Sequence, residues 1–227
     1  MLQLIMIGQE NSKIDICEEE AKKLLIELRR RVNITYRIRI RATDRLKRLN
    51  EESQRVNVYY SALVTGGSVL TLAIDTWDKA SSILLIASIT LTYYMFYIAQ
   101  NNYKERAYRM EESFKALDKL KNMIDIRLKA KDEKITYKDC KNLYKLYEQI
   151  IADIENHEPI DYVVFKMDEF NKKDKMQLTE IEKEELQRVK KQLKNYSWKI
   201  KWNYIFKYGI IPLAILGICV ITINFTR

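Results

Sequence analysis

Two uncharged stretches joined by a short polar segment constrain this chain more than any other feature. Residues 56–74 ("VNVYYSALVTGGSVLTLAI") and 81–99 ("SSILLIASITLTYYMFYIA") contain no Asp, Glu, Lys or Arg. As an α-helix, each would measure about 28 Å, close to the hydrocarbon thickness of a bilayer. A helix of a soluble protein keeps a polar face, whereas these stretches lack charge on every face. The pattern predicts a transmembrane helical hairpin with "DTWDKAS", which begins at 75, as its turn; a buried hairpin in a soluble core is the alternative.

A third uncharged stretch, 208–226 ("YGIIPLAILGICVITINFT"), predicts a C-terminal span, since Gly209 and Pro212 are tolerated near the start of a membrane helix. A tail packed against the hairpin is the alternative. Basic residues cluster before 56 and after 99, and the turn has a single lysine, Lys79. Because basic flanks stay in the cytoplasm, we expect a cytoplasmic N-terminus, with the 75–81 turn and the C-terminus outside.

The rest of the chain predicts helices. Only 5 Gly and 2 Pro are present, too few for the turns of a β fold. Residues 17–55 place Leu24, Leu28 and Val32 at four-residue spacing, and "YRIRIR", which alone would suit a strand, lies inside this helical pattern. "TEIE" at 179–182 predicts a capping box between Thr179 and Glu182.

The predicted fold class is therefore an all-α integral membrane protein, with a transmembrane helical hairpin, a cytoplasmic amphipathic helical bundle and a third C-terminal span. The chain is predicted to have four parts: an N-terminal segment (1–16), a domain (17–170), a linker with an amphipathic helix (171–207) and the third span (208–226). The domain comprises a cytoplasmic helix (17–55), the hairpin (56–99) and cytoplasmic helices (103–170).

Hydroxyl side chains form a stripe along the hairpin: Ser61, Thr65 and Ser68 on the first helix, and Ser88 and Thr92 on the second. Such residues let membrane helices approach closely and hydrogen bond. They would also suit the lining of a water-filled path in an oligomer. Both interpretations stay open. An ion-coupled transporter is disfavoured, because such proteins usually have an ionisable residue within a span and these spans have none.

Candidate chemistry is sparse. The 3 cysteines, Cys17, Cys140 and Cys219, match no metal or disulfide framework, which favours a reducing compartment. The single histidine, His157, could act as a base with Asp161, but no nucleophile or further metal ligand accompanies it. We expect Asn156, His157, Asp161 and Tyr162 to form a structural corner that satisfies backbone groups at a helix end. No catalytic residue, cofactor or metal is predicted.

The formal charge is +9, with arginines concentrated at 29–48. We expect Arg37, Arg39, Arg41, Arg45 and Arg48 to contact the anionic inner leaflet of a membrane, at about 1 kcal/mol for each basic residue near the surface. Direct binding to nucleic acid is the alternative, and it is less favoured because Tyr36 is the only aromatic residue among these arginines.

Three segments resemble a known family: "RATDRLKRLN" before the hairpin, "NNYKERAYRMEESFKALDKL" after it, and "IENHEPIDYVVFK" at the corner. Over roughly residues 20–170 the chain resembles the SLATT domain, the two-transmembrane effector domain of bacterial conflict systems, and it is similar to the subfamily associated with reverse transcriptases. The third span departs from a minimal two-span domain.

The resemblance implies a homo-oligomer in the bacterial inner membrane that forms pores during anti-phage defence. It also implies a genomically linked partner, either a reverse transcriptase or a nucleotide-signal synthase, and it brings no catalytic residue. A membrane-anchored scaffold for a defence enzyme, without pore activity, is the alternative.

Overall fold

The computed structural model describes residues 2–73, 78–130, 134–152, 154–173, 178–210 and 212–213, and side chains within 18–69, 81–130, 134–152, 154–173, 178–209 and 212–213. Across these ranges the ordered elements are helices and no strand occurs. The expectation of an all-helical chain is confirmed.

One helix, α1 (Leu2–Ala73), covers 72 residues and includes "YRIRIR" and most of the first uncharged stretch. The other helices are α2 (Asp78–Gln100), α3 (Tyr103–Lys129), α4 (Tyr137–Ala152), α5 (Pro159–Lys172) and α6 (Glu180–Ile205), and a π-helical turn (Phe206–Ile210) follows α6. The chain divides into a first unit, residues 1–44 and 107–165, and a second unit, residues 45–106 and 166–227.

The first unit is built on an apolar seam between α1 and α3. Ala21, Leu25, Leu28 and Val32 of α1 are buried in one cluster with Leu117, Leu120 and Ile124 of α3. Burial of each leucine contributes roughly 1.5–3 kcal/mol. The sequence periodicity placed Leu24 in this seam, but Leu24 is 36% exposed and Leu25 is fully buried. In this part of α1 the seam therefore contains Leu25 in place of Leu24.

Helix α4 covers the same seam. The Cys140 thiol donates to the Ala21 carbonyl across 3.2 Å, and the hydroxyls of Thr35 and Tyr147 share a hydrogen bond of 3.0 Å. Burial raises the pKa of the Cys140 thiol, which keeps it protonated. At the start of α4, the Arg127 guanidinium lies 2.9 Å from Asp139. These contacts connect three helices that are distant in sequence.

Two helix boundaries in the second unit have clear chemical causes. Asn102, which follows α2, has φ of 46°, a left-handed conformation that Asn adopts more readily than most residues and that ends a helix. At α6, the Thr179 side chain accepts from the Glu182 backbone N–H, and the Glu182 carboxylate accepts from the Thr179 backbone N–H. The predicted capping box is confirmed.

Candidate functional site

Helix α2 has the character of a membrane-spanning element. Among the described residues, one stretch, Ser81–Lys129, contains a window apolar and long enough to cross a bilayer, with a mean hydropathy of 1.7 and no part of that window buried. Leu85, Ile86 and Phe96 are each more than 60% exposed. So much contiguous apolar surface fits a lipid environment. This supports membrane location for the second uncharged stretch.

The other two predicted spans are described only in part. The first continues along α1 as far as Ala73, and its side chains are described to residue 69. The "DTWDKAS" turn, Trp77 included, overlaps residues 74–77, which lie outside the described residues. The predicted third span is described at 208–210 and 212–213, and its remaining residues also lie outside. The first and third transmembrane spans therefore stay predictions.

The helices of the hairpin approach closely at one glycine. A Cβ atom placed on Gly67 would lie 2.8 Å from Cδ2 of Leu84, whereas a Cβ on the neighbouring Gly66 would have nothing within 4 Å. Gly67 therefore faces α2 and Gly66 faces away from it. The contact fixes the register of the hairpin, because residue 67 of α1 lies opposite residue 84 of α2.

The hydroxyl stripe is mostly exposed. Ser61, Thr65, Ser68 and Thr92 are exposed, and Ser88 is half-buried. Four of the hydroxyls bond within their own helix: Ser61 donates to the Asn57 side chain at 3.2 Å, Ser68 to the Val64 carbonyl at 2.8 Å, Ser88 to the Leu85 carbonyl at 2.8 Å and Thr92 to the Ser88 carbonyl at 2.9 Å. The four exposed members are accessible to lipid, water or another copy, whereas Ser88 lies one turn after Leu84 on the same face of α2.

The arginines predicted to contact a membrane surface fall into two groups. Arg48 is exposed, and Arg37 and Arg41 are half-buried, with Arg37 stacked 4.9 Å from the centre of the Phe165 ring. Arg39 and Arg45 are only 5% and 6% exposed. A buried guanidinium cannot reach lipid headgroups, so in this structure these two arginines do not match the predicted surface role.

Arg39 instead stabilises the end of α4. Its Nη1 donates to the Ile150 carbonyl across 3.2 Å, in the last turn of that helix. Carbonyls of a last turn have no partner within the helix, and a cation there also interacts favourably with the helix dipole. Burial lowers the pKa of the Arg39 guanidinium, although the group stays charged at neutral pH.

The corner residues lie at the start of α5. Asp161 is 1% exposed, and its carboxylate accepts from the Glu158 backbone N–H at 3.0 Å. Pro159 is the first residue of α5, a position where its missing N–H costs nothing. Helix α4 ends before this point, at Ala152. Asp161 therefore anchors the beginning of α5.

The other corner residues have weaker roles. His157 is half-buried, and the pKa of its imidazole is lowered. Burial is the largest cause; the charge of Asp161 opposes it, and the charge of Arg39 adds to it. Tyr162 is 41% exposed, with its ring 6.0 Å from that of Phe165, and Asn156 is exposed. Within the described part of the chain, no group of three His, Cys, Asp or Glu residues could hold a metal ion.

An aromatic pair on α6 was missed by the sequence reasoning. Trp198 and Trp202 stack with their ring centres 5.5 Å apart, and each is 52% exposed. Lys199 and Lys201 alternate with them and are also exposed. Trp residues next to lysines suit a membrane interface. The signal was readable, because two Trp at i and i+4 come directly before the third uncharged stretch.

Comparison with known proteins gives one match. The family described as "SMODS and SLOG-associating 2TM effector domain family 5" matches residues 21–222. No curated protein and no solved structure matches the chain. The match continues past residue 170 and includes α6 and most of the third uncharged stretch. The C-terminal part is therefore within the family pattern, and the family extends further along the chain than the expected range of roughly 20–170.

Proposed function

Because the chain belongs to family 5 of the SMODS and SLOG-associating 2TM effector domains, we propose that it is a membrane effector that assembles into oligomers and permeabilises the bacterial inner membrane. The observation that carries this proposal is the exposure of the hairpin. The apolar window of α2 has no part buried, and four of the five stripe hydroxyls are exposed. A hairpin of this kind has surface for both lipid and neighbouring copies.

Two helices cannot enclose a water-filled path, so permeabilisation requires several hairpins. Four of the five stripe residues are exposed in one chain, so they can face a shared axis when copies assemble. Hydroxyl groups on such an axis would hydrogen bond with water, while the aliphatic face of α2 contacts lipid. The same hydroxyls could instead hydrogen bond between neighbouring copies, which would also stabilise the oligomer.

The proposed orientation follows from the basic flanks of the hairpin. Basic flanks before residue 56 and after residue 99 keep the N-terminus and the first unit in the cytoplasm, and the 75–81 turn lies outside. The first unit has its own packed core, so it can receive a signal and favour one of two hairpin arrangements. No catalytic step is included in this proposal.

The family is described by its association with SMODS and SLOG components. We therefore propose that the signal comes from a defence partner encoded nearby, a nucleotide-signal synthase or a reverse transcriptase. Activation would stop growth of an infected cell by collapse of its membrane potential. A scaffold that only anchors such an enzyme is the competing function, and it would leave the potential unchanged.

Leucine substitutions of the stripe test the proposal. Ser88→Leu with Thr92→Leu would make the proposed axis apolar, and we expect depolarisation in activated cells to be lost. Ser82→Leu is the control, because Ser82 is an exposed hydroxyl residue of the same helix that belongs neither to the stripe nor to the α1–α2 side. All variants are checked for equal membrane insertion. Unchanged depolarisation in the double variant would exclude the stripe from the path.

A further inference from the structure

An apolar cleft lies inside the second unit, between α1, α2 and the end of α6. Its volume is about 550 Å³, within the usual range of ligand pockets. Val56, Tyr60 and Val64 form the α1 wall, and Ile83, Ala87 and Leu91 lie on the facing wall of α2. The cleft is therefore bounded on two sides by the helices of the hairpin.

The two ends of this cleft differ. At one end, α1 and α2 come into contact at Gly67 and Leu84, one turn beyond Val64 along α1. At the opposite end, Asn203, Phe206 and Lys207 complete the wall beside Val56. The cleft thus extends from this helix contact to the basic flank of the first helix.

Polar groups collect at the Lys207 end. Lys207 Nζ is paired with the Glu52 carboxylate at 3.1 Å, and the Tyr60 hydroxyl donates to the Lys207 carbonyl. The positive charge that this pair leaves over comes from Lys199, which is exposed and lies four residues before Asn203, on the same face of α6. Thr90 adds a hydroxyl to the α2 wall, and it donates to the Ile86 carbonyl at 2.9 Å. A matching ligand has an apolar tail and a negatively charged head.

The length of the cleft identifies the class of ligand. Its α2 wall runs from Ile83 to Tyr94, a rise of about 16 Å along a helix and close to the ~15 Å of hydrocarbon in one leaflet. We propose that the cleft binds one anionic phospholipid, with an acyl chain along the α1–α2 walls and the phosphate at the Lys207 end. The inference needs the hairpin to lie in a membrane and is independent of permeabilisation.

Native mass spectrometry of the full chain, purified in mild detergent with phosphatidylglycerol, tests this site. Ala87→Trp places a large ring in the cleft. Ala62→Trp is the matched control, since Ala62 is exposed on α1 and outside the cleft. We expect retained phosphatidylglycerol to fall about tenfold in Ala87→Trp, because displacement of as few as two methylene groups suffices for that change. Equal retention in both variants would overturn the proposal.

A second measurement covers the case in which Ala87→Trp does not fold. In a chain whose three tryptophans are replaced by Phe, Tyr94→Trp reports on the cleft, and Tyr93→Trp, at a position 72% exposed, reports on bulk lipid. We expect brominated phosphatidylglycerol to quench the Tyr94→Trp fluorescence more than brominated phosphatidylcholine does, with no such preference at Tyr93→Trp. Equal quenching by both lipids at Tyr94→Trp would overturn the proposal.

Two other occupants have distinct outcomes. Isolated membranes are treated with copper phenanthroline and oxygen as the oxidant. If the C-terminal stretch fills the cleft, Ala87→Cys then forms a disulfide with Cys219. If a second copy fills it, Ala87→Cys crosslinks to itself and gives a dimer. Either disulfide, mapped by peptide mass, would replace the phospholipid as the occupant. We expect neither bond to form, and Ala87→Cys to retain phosphatidylglycerol at the level of the unchanged chain.

Discussion

The close approach at Gly67 gives a sharp prediction for the hairpin. A Cβ at this position would lie 2.8 Å from Leu84 Cδ2, about 1 Å inside normal carbon–carbon contact. Leu84 Cδ2 is the end of a flexible side chain, so Gly67→Ala requires only a rotamer change of about 0.5–1.5 kcal/mol. The gain in helix propensity, about 0.8–1.0 kcal/mol, roughly offsets it. Gly67→Ala is therefore expected to be close to neutral.

Gly67→Leu adds three more carbon atoms and forces α1 and α2 apart. Overpacking of this kind costs about 1–3 kcal/mol. Gly66→Leu is the control, because it gains the same helix propensity and a Cβ at that position would have nothing within 4 Å. The difference between the two leucine variants thus isolates packing, and we expect Gly67→Leu to be the less stable by about 1–3 kcal/mol.

Unfolding in mixed micelles with increasing dodecyl sulfate, followed by circular dichroism, measures this difference. The shape of each transition reports whether the hairpin and the first unit unfold together. Equal stability of the two variants, or lower stability of Gly66→Leu, would refute the register in which Gly67 lies against Leu84.

Three further predictions concern the first unit and α6. Leu120→Ala should lower the free energy of unfolding by about 2–5 kcal/mol in urea, whereas Ile126→Ala, at a position 71% exposed, should change it by less than about 0.5 kcal/mol; equal losses would contradict the seam. Burial lowers the pKa of His157 below its ordinary 6.5, so the folded state binds the imidazole proton less readily than the unfolded state. Stability should therefore decrease as pH falls below 6.5. In His157→Gln, the free energy of unfolding should depend less on pH between 7.5 and 5.5. Thr179→Ala should lower the free energy of unfolding by about 0.5–2 kcal/mol. Hydrogen bonds from Lys173 and then Thr179 hold the pKa of Glu182 at about 2. The stabilisation by this carboxylate should therefore be present above pH 4.5 and lost as pH falls towards 2, and backbone chemical shifts at 180–183 would report the loss.

The sequence was sufficient for features that depend on composition over many residues. Absence of charge on every face of 81–99 indicated a membrane helix, and α2 has no buried part in its apolar window. The box of Thr179 and Glu182 was predictable because its partners are three residues apart. The family resemblance was confirmed, since its motifs lie inside the matched range.

Features that depend on distant partners were not predictable. Arg39 is buried because the Ile150 carbonyl, 111 residues away, accepts from it; alone, an arginine in a basic run suggests exposure. Leu25, and not Leu24, is buried in the seam because of the way α1 is rotated about its axis relative to α3. The cleft depends on three separate segments, and the four-residue spacing of Val56, Tyr60 and Val64 marks one helix face without showing what that face contacts.

The most direct measurement of the proposed activity is membrane potential, with dye entry recorded in the same cells. The cells carry the chain with its neighbouring genes and are exposed to phage. We expect depolarisation and dye entry before lysis, absent when the chain is deleted and restored by the unchanged chain. Growth arrest with a normal potential and no dye entry, while the chain is inserted in the membrane, would contradict permeabilisation and favour the scaffold.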